Sequence, residues 1–351
     1  MYMLAPTLGT ALIILYARST FIADKFLANP LLVGVGLISY SAYLWHQPIF
    51  SFFRIYSQEP PNELIYIILI AFTFILATLS WFFIEQPFRK KDTISKHTFL
   101  ISTTFCLSFL LLFGFFTHYT NGFPERIFNL SKFTSKDISI AYGTRNYAFK
   151  SDSFEKNDKK KLLVVGRSFA RDAINIIRET YDMQHINIVY RNDFNHCNLT
   201  TQSNGGRLLE EADIILLAPS YSYNKKCVER LIKRSHELQL SVFFVGIKHF
   251  GYNLNWISRI NEDQRSFLKN TLLEETKQIE HTAKSFIPND LYISIIEGLG
   301  NGNEILITDE AGHILSPDRR HLTKHGAIFI GKNVFIPSKI TQYLPLPSPH
   351  Q

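Results

Sequence analysis

Four long apolar segments occupy the first 118 residues of this 351-residue chain and constrain its fold more than any other feature. They lie at about residues 3–17, 31–53, 63–84 and 98–118, and their interiors are aromatic and nearly free of charge. A helix of roughly 17–25 apolar residues crosses a bilayer, so the sequence predicts about four transmembrane helices. A signal peptide is disfavoured for the first segment, because basic residues follow its apolar run instead of preceding it.

The basic residues between these segments predict their orientation. Arg18 and Lys25 follow the first segment and a basic cluster at 89–96 follows the third, whereas the intervening loop at 54–63 contains two acids and two prolines. Loops rich in Lys and Arg stay in the cytoplasm. With four spans, the N-terminus and everything after about residue 118 then lie outside it. We therefore expect a multi-pass protein of the bacterial inner membrane with a periplasmic C-terminal domain.

The rest of the chain predicts an α/β domain. A polar linker at 119–158 separates the membrane part at 1–118 from a domain at 159–345. In that domain short apolar runs alternate with amphipathic stretches, which predicts a parallel sheet covered on both faces. The expected strands are 161–165, 186–190, 213–218, 241–247 and 292–295, and the expected helices are 170–181, 226–238 and 261–286.

Charge and cysteine usage exclude some functions. The formal net charge of +7 does not indicate nucleic-acid binding, because part of it comes from the clusters that flank the membrane segments. Cys106 lies in a predicted span, whereas Cys197 and Cys227 fall in the exported domain, where either a disulfide or two free thiols are open to them. No Cys or His spacing typical of a zinc site occurs, so no metal is expected.

Three residues of the exported domain suggest nucleophilic catalysis. Ser168 follows the apolar run 162–165 and Gly166, a context in which a serine lies at the carboxyl end of a strand. Asp318 precedes His321 by three residues, so its carboxylate can orient the imidazole. Ser168, His321 and Asp318 therefore form a candidate triad. The competing interpretation is that Ser168 only caps the following helix.

Two membrane motifs resemble a known family. The stretch Val35-Gly36-Leu37-Ile38-Ser39-Tyr40-Ser41-Ala42-Tyr43-Leu44-Trp45-His46-Gln47-Pro48 resembles the late membrane signature of the acyltransferase-3 family of integral membrane O-acyltransferases. The stretch Trp81-Phe82-Phe83-Ile84-Glu85-Gln86-Pro87-Phe88-Arg89 resembles its closing motif. Ionisable residues at membrane depth are often functional. For His46 and Glu85, however, structural roles are favoured, in an interfacial aromatic belt and in an ion pair with Arg89.

The last span and the domain after it resemble the SGNH domain fused to this family in O-antigen acetyltransferases of the OafA type. Gly166-Arg167-Ser168 matches the GDS block, and Asp318-Arg319-Arg320-His321-Leu322 matches the DxxHL block. The resemblance implies a covalent acyl-Ser168, with His321 as general base and Asp318 as its orienting partner. It also implies acetyl-CoA as the acyl donor, reached through the membrane part, with no cofactor held, and a hydroxyl of a surface polysaccharide such as lipopolysaccharide O-antigen as the acceptor.

The sequence departs from the family pattern in three places. The early membrane helices that carry the family's acyl-transfer histidine and arginine have no counterpart before Leu4, so we expect a C-terminal portion of a longer enzyme, with those helices supplied by another polypeptide. Arg167 replaces the Asp of GDS. The GxND block is absent, because 218–221 reads Ala-Pro-Ser-Tyr in its place. Asn224 and either Gly205 or Gly206 are the candidate oxyanion donors.

Three functions remain open from sequence. The preferred one is an O-acyltransferase component. The second is an esterase, in which water replaces the sugar as acceptor and the triad chemistry is the same. The third is a non-catalytic partner or degenerate fragment, favoured by the missing helices, the changed GDS block and the missing GxND block.

Overall fold

The computed structural model describes residues 4–16, 27–90, 94–123, 140–199 and 203–347. The residues outside these ranges include Arg18, Lys25, Lys91 of the second basic cluster and 124–139 of the predicted linker at 119–158. The chain divides into two compact units, Met1–Gly122 and Phe123–Gln351. This division falls within the predicted linker.

The first unit is helical at all four apolar segments. Its helices are α1 (Leu4–Tyr16), α2 (Pro30–Tyr56), α3 (Glu63–Ser80) and α4 (Lys96–Tyr119). A turn of π-helix and a further α-turn extend α3 to Arg89. Among the described residues, the helices Glu63–Arg89 and Lys96–Tyr119 are long and apolar enough to cross a membrane, and Leu4–Tyr16 is apolar but shorter. The four-span arrangement therefore stays a prediction.

The second unit is built on a five-stranded parallel sheet with strand order β2-β1-β3-β4-β6. A separate antiparallel pair, β5 with β7, lies outside it. The strands are β1 (Lys160–Val165), β2 (Ile186–Arg191), β3 (Ile214–Leu217), β4 (Ser241–Val245), β5 (Lys269–Thr271), β6 (Tyr292–Ile293) and β7 (Glu304–Leu306). The chain order reverses between β1 and β3, where α/β folds place their ligand sites.

Helices cover both faces of this sheet, as the sequence predicts. Alternate residues of β1 belong to different cores: Leu162 and Val164 pack on one side, and Leu163 and Val165 on the other. The first core contains the apolar residues of α5 (Ser168–Thr180) and α9 (Lys324–Ile330), and the second contains those of α6 (Ser203–Glu211), α7 (Lys225–Leu238) and α8 (Glu274–Lys284).

The predicted helix at 261–286 is wrong over its first half. Only Glu274–Lys284 is α-helical, and β5 lies within the predicted range. Asn270 of β5 is buried, and its side-chain amide donates to the carbonyls of Phe250 and Asn253 at 2.9 and 3.0 Å. These long-range hydrogen bonds hold the segment extended, and tertiary contacts of this kind override local helix propensity.

Candidate functional site

Ser168 lies directly beyond the carboxyl end of β1, where the chain turns sharply into α5. The turn is made by Gly166, whose φ is +140°, and a Cβ at this position would lie 2.5 Å from the Ala218 carbonyl oxygen. Only glycine combines this φ with such a close backbone approach. The half-buried Ser168 is the first residue of α5. It is therefore at a helix N-terminus, where unpaired backbone amides can stabilise developing negative charge.

The helix start argues against a pure capping role for Ser168. The cap position is occupied by Arg167, and no side chain makes a capping hydrogen bond there. The turn is instead held by its backbone: the Gly166 N–H donates to the Arg191 carbonyl at 3.0 Å, and the Tyr190 hydroxyl donates to the Arg167 carbonyl at 3.2 Å.

Asp318 and His321 form a hydrogen-bonded pair. His321 Nδ1 lies 2.5 Å from Asp318 Oδ2, and Asp318 Oδ1 accepts from the backbone N–H groups of Arg320 (3.0 Å) and His321 (2.8 Å). Partial burial alone would raise the pKa of Asp318, but the bond from the His321 side chain and those from the two backbone amides outweigh it and hold that pKa below its usual range. The carboxylate therefore stays ionised and fixes the imidazole with Nε2 pointing away from it.

The segment that carries this pair packs against the first turns of α5. Asp172 lies one helical turn after Ser168, and its Oδ1 accepts from the Leu322 N–H at 3.5 Å. The Arg320 guanidinium lies 5.5 Å from the centre of the Phe169 ring. Within the described residues the Ser168 hydroxyl makes no hydrogen bond to His321. Catalytic hydrogen bonds often tighten only when substrate binds.

A buried lysine that sequence reasoning missed joins α5 to the Asp318–His321 segment. Lys248 Nζ lies 2.7 Å from Asp172 Oδ2, and both side chains are 2% exposed. The ammonium also donates to the Arg320 carbonyl and lies 3.5 Å from the Phe169 ring centre. Burial raises the pKa of Asp172 and lowers that of Lys248, and the attraction between the two charges opposes both shifts. One signal was available, since Lys248 follows closely after a predicted strand.

The segment after β4 fixes the other side of the Asp318–His321 turn. The Phe250 N–H donates to the Arg319 carbonyl at 2.9 Å, and Arg319 Nη1 donates to the Tyr252 carbonyl at 2.5 Å. Arg319 has a φ of +80°, which costs a non-glycine residue free energy and persists only where surrounding contacts impose it. These contacts, with that of Lys248, determine the position of His321.

The structure gives other roles to the proposed oxyanion donors. Asn224 Oδ1 accepts from the Cys227 N–H at 3.2 Å, which caps α7. Gly205 lies in α6, where a Cβ would be 2.4 Å from the Leu199 carbonyl oxygen, whereas Gly206 has open space around it. No contact among the described residues joins any of the three to Ser168. The amides of the first turn of α5 are the donors that lie beside the serine.

Cys197 and Cys227 are joined by a disulfide with a Cα–Cα distance of 4.8 Å. The bond links the loop after β2 to the first turn of α7. The adjacent His196 accepts at Nε2 from the Asn224 N–H at 2.8 Å. Cys106 is a free, exposed thiol on α4.

The two membrane-motif residues make local polar contacts. Glu85 pairs with Arg89 at 2.7 Å and accepts from the Ser41 hydroxyl at 2.9 Å, which ties the end of the third helix to α2. His46 Nδ1 lies 2.5 Å from the Tyr43 carbonyl oxygen. The predicted ion pair of Glu85 with Arg89 is present, and the structural roles of both residues stay predictions.

No protein-family model matches the chain. A stretch of 74 residues, 21% of this chain, is 47% identical to 12% of a provisionally named O-acetyltransferase (SACOL0978) of Staphylococcus aureus strain COL. A stretch of 68 residues, 19% of the chain, is 46% identical to 11% of the O-acetyltransferase OatA of Staphylococcus aureus strain NCTC 8325. The chain thus covers 12% or less of the length of these curated relatives.

Among solved structures, the periplasmic domain of the lipopolysaccharide acetyltransferase of Salmonella ser. Paratyphi A aligns with 56% of this chain and 87% of that domain, at 16% identity and a TM-score of 0.37. One fifth of the chain is therefore similar in sequence to proteins named as O-acetyltransferases.

Proposed function

We propose that this chain is part of an O-acetyltransferase that transfers an acetyl group to a hydroxyl of a surface polysaccharide. One observation carries the proposal: an Asp318–His321 pair is held against the N-terminal turns of a helix that begins at Ser168. The sequence similarity to O-acetyltransferases supports the same reaction class.

In the proposed mechanism Ser168 is the nucleophile. Its Oγ attacks the acyl carbon of the donor and forms an ester, His321 accepts the hydroxyl proton, and that proton passes to the leaving group. The acceptor hydroxyl then attacks the ester carbon and gives its proton to His321, which returns it to Ser168 Oγ as the serine ester bond breaks. Asp318 holds the imidazole in the required tautomer. Amides of the first turn of α5 stabilise the oxyanion.

The donor and the cellular setting form part of the proposal. Acetyl-CoA in the cytoplasm would supply the acetyl group through the membrane unit. The second unit would then face the periplasm, and the disulfide between Cys197 and Cys227 supports this, because disulfides persist in oxidising compartments.

An esterase would use the same residues with water as the acceptor. The third possibility, a degenerate fragment, predicts that Ser168 forms no acyl ester. The ratio of acetylated sugar to free acetate among the products distinguishes a transferase from an esterase.

The test uses the full chain in detergent with p-nitrophenyl acetate as donor. We expect a burst of p-nitrophenol that Ser168→Ala abolishes and that Ser258→Ala, which removes an exposed hydroxyl elsewhere, leaves unchanged. Added sugar should speed turnover and appear as its acetyl ester. A burst that persists in Ser168→Ala contradicts the mechanism, and turnover that yields only acetate identifies an esterase.

A further inference from the structure

Two arginines flank the proposed catalytic residues. Arg167 directly precedes Ser168 and Arg320 directly precedes His321, and both arginine side chains are exposed. Neither has a part in the acyl-transfer steps described above. Their exposure and their position next to Ser168 and His321 make them candidates for binding a substrate.

A short loop after β3 lies beside both arginines. Arg320 Nη2 donates to the Ser220 carbonyl at 3.3 Å while its guanidinium faces Phe169. The start of this loop also contacts the strand end that leads into Arg167, since the Ala218 N–H donates to the Val165 carbonyl at 3.0 Å. Burial raises the pKa of the Tyr221 phenol, and the Arg167 charge opposes that rise. The two guanidinium groups are therefore on the same side of the molecule, where the turn after β1 meets the loop after β3.

The charges of Arg167 and Arg320 are not paired within the part of the chain that the structure describes. Within the described ranges neither arginine forms an ion pair with a carboxylate. The carboxylates on the segments that carry His321 and Ser168 are already engaged, Asp318 by His321 and Asp172 by the buried Lys248. Each guanidinium group carries five N–H donors. Both arginines therefore have N–H donors available to an anion that approaches Ser168.

A neighbouring histidine responds to the same charge. Burial, together with Arg319, Arg320 and Lys248, lowers the pKa of His249 to about 4. His249 is therefore neutral at physiological pH, and the positive charge of the region stays concentrated on the arginines and the lysine.

We infer that the acceptor is an acidic glycan, whose carboxylate or phosphate binds Arg167 and Arg320 while a nearby hydroxyl takes the acyl group. The inference rests on the proposed function and names its substrate class. Guanidinium groups bind carboxylates and phosphates through paired hydrogen bonds, which fix orientation as well as affinity. The two arginines hold the anion, and the bonds that form and break remain those between the acyl carbon, Ser168 Oγ and the acceptor oxygen.

The experiment compares matched acceptors on the detergent-solubilised full chain with p-nitrophenyl acetate as donor. Methyl β-glucuronide carries a carboxylate where methyl β-glucoside carries a hydroxymethyl group, and glucose 6-phosphate serves as the phosphate probe against glucose. Formation of the acetylated sugar gives kcat/KM for each acceptor, and the p-nitrophenol burst reports acyl-enzyme formation separately. The ratio of kcat/KM between each anionic acceptor and its neutral partner is then compared. The larger ratio identifies whether a carboxylate or a phosphate is recognised.

We expect the double variant Arg167→Gln/Arg320→Gln to lose about tenfold to hundredfold in kcat/KM for the anionic acceptors, the size of a charge-assisted hydrogen-bond contribution. The neutral acceptors and the burst should stay unchanged. Added salt should reduce the preference for anionic acceptors in the unmodified chain. Arg230→Gln removes an equal charge from the exposed side of α7, on the opposite face of the sheet, and should alter nothing.

Two outcomes overturn the inference while the burst remains intact: equal rates for charged and neutral acceptors, or an equal loss on both in the double variant. The second would assign the arginines to stabilising the oxyanion. Absence of a Ser168-dependent burst in the unmodified chain overturns the proposed function, and the inference with it.

Discussion

Replacing Lys248 with methionine tests whether the buried ion pair holds the site together. Lys248→Met keeps the length of the side chain but removes the charge that faces Asp172 at 2.7 Å, where both groups are 2% exposed. Removing one partner of a buried ion pair leaves an uncompensated charge and costs about 3–5 kcal/mol. For a domain of this size that corresponds to a fall in Tm of roughly 6–20 °C.

The expected loss depends on pH, and its sign follows from Asp172. Without Lys248, burial raises the folded-state pKa of Asp172 further above its unfolded value. Below the unfolded pKa of about 3.9 the carboxyl is protonated in both states and does not lower the free energy of unfolding. As pH rises toward the folded pKa, the free energy of unfolding falls, because the unfolded state loses its proton first. Thermal unfolding followed by circular dichroism should therefore show a smaller difference in Tm between Lys248→Met and the unmodified chain at about pH 4.5 than at about pH 7.

Two further variants serve as a rescue and as a control for this prediction. The double variant Lys248→Met/Asp172→Asn carries no unpaired buried charge and should recover most of the lost Tm, since a neutral replacement of a buried pair is often tolerated. Lys233→Met removes an exposed lysine from α7 and should change little. A single variant as stable as the unmodified chain at pH 7, or a double variant no better than the single one, would refute the reasoning.

Three other predictions concern the site and its support. Asp318→Asn should lower turnover about 10²–10⁴-fold through misorientation of His321 while leaving Tm nearly unchanged; a variant with full burst kinetics would contradict the assigned role. Gly166→Ala should cost about 1–3 kcal/mol of stability, because its φ of +140° is strained for any Cβ-bearing residue, and an unaltered urea midpoint would argue against the turn. Replacing both Cys197 and Cys227 with serine opens a loop of sequence separation 30 and should cost roughly 3–4 kcal/mol; urea titration with and without reductant checks this.

Much of the α/β unit was predictable because its strands are buried on both faces. A strand such as β1, with Leu162 and Leu163 facing opposite cores, reads as a continuous apolar run, and such runs mark parallel strands. Gly166 and Ser168 after that run also marked the position of the turn. The predicted strands therefore coincide with β1, β2, β3, β4 and β6 to within a few residues.

Features that depend on distant contacts were not predictable. β5 and β7 have three residues each, too few to show a period, so the sequence does not distinguish β5 from the helix that follows it. Lys248 directly follows a predicted strand, but that position does not show that its side chain is buried, and only the contacts with the Arg320 carbonyl and with Asp172 reveal its role. Asn224 lies two residues before the predicted helix 226–238, where an Asn can either cap the helix or offer a free amide, and only the hydrogen bond from the Cys227 N–H shows that it caps.

The central claim is that Ser168 carries the acyl group, and peptide mass spectrometry tests it most directly. The full chain would be mixed with p-nitrophenyl acetate, quenched in acid before the ester turns over, digested and mapped. The account predicts a single acetyl group on the peptide that begins α5, located on Ser168 and absent in His321→Ala. Acetylation of Lys or Tyr side chains alone, with Ser168 unmodified in a folded chain, would contradict it.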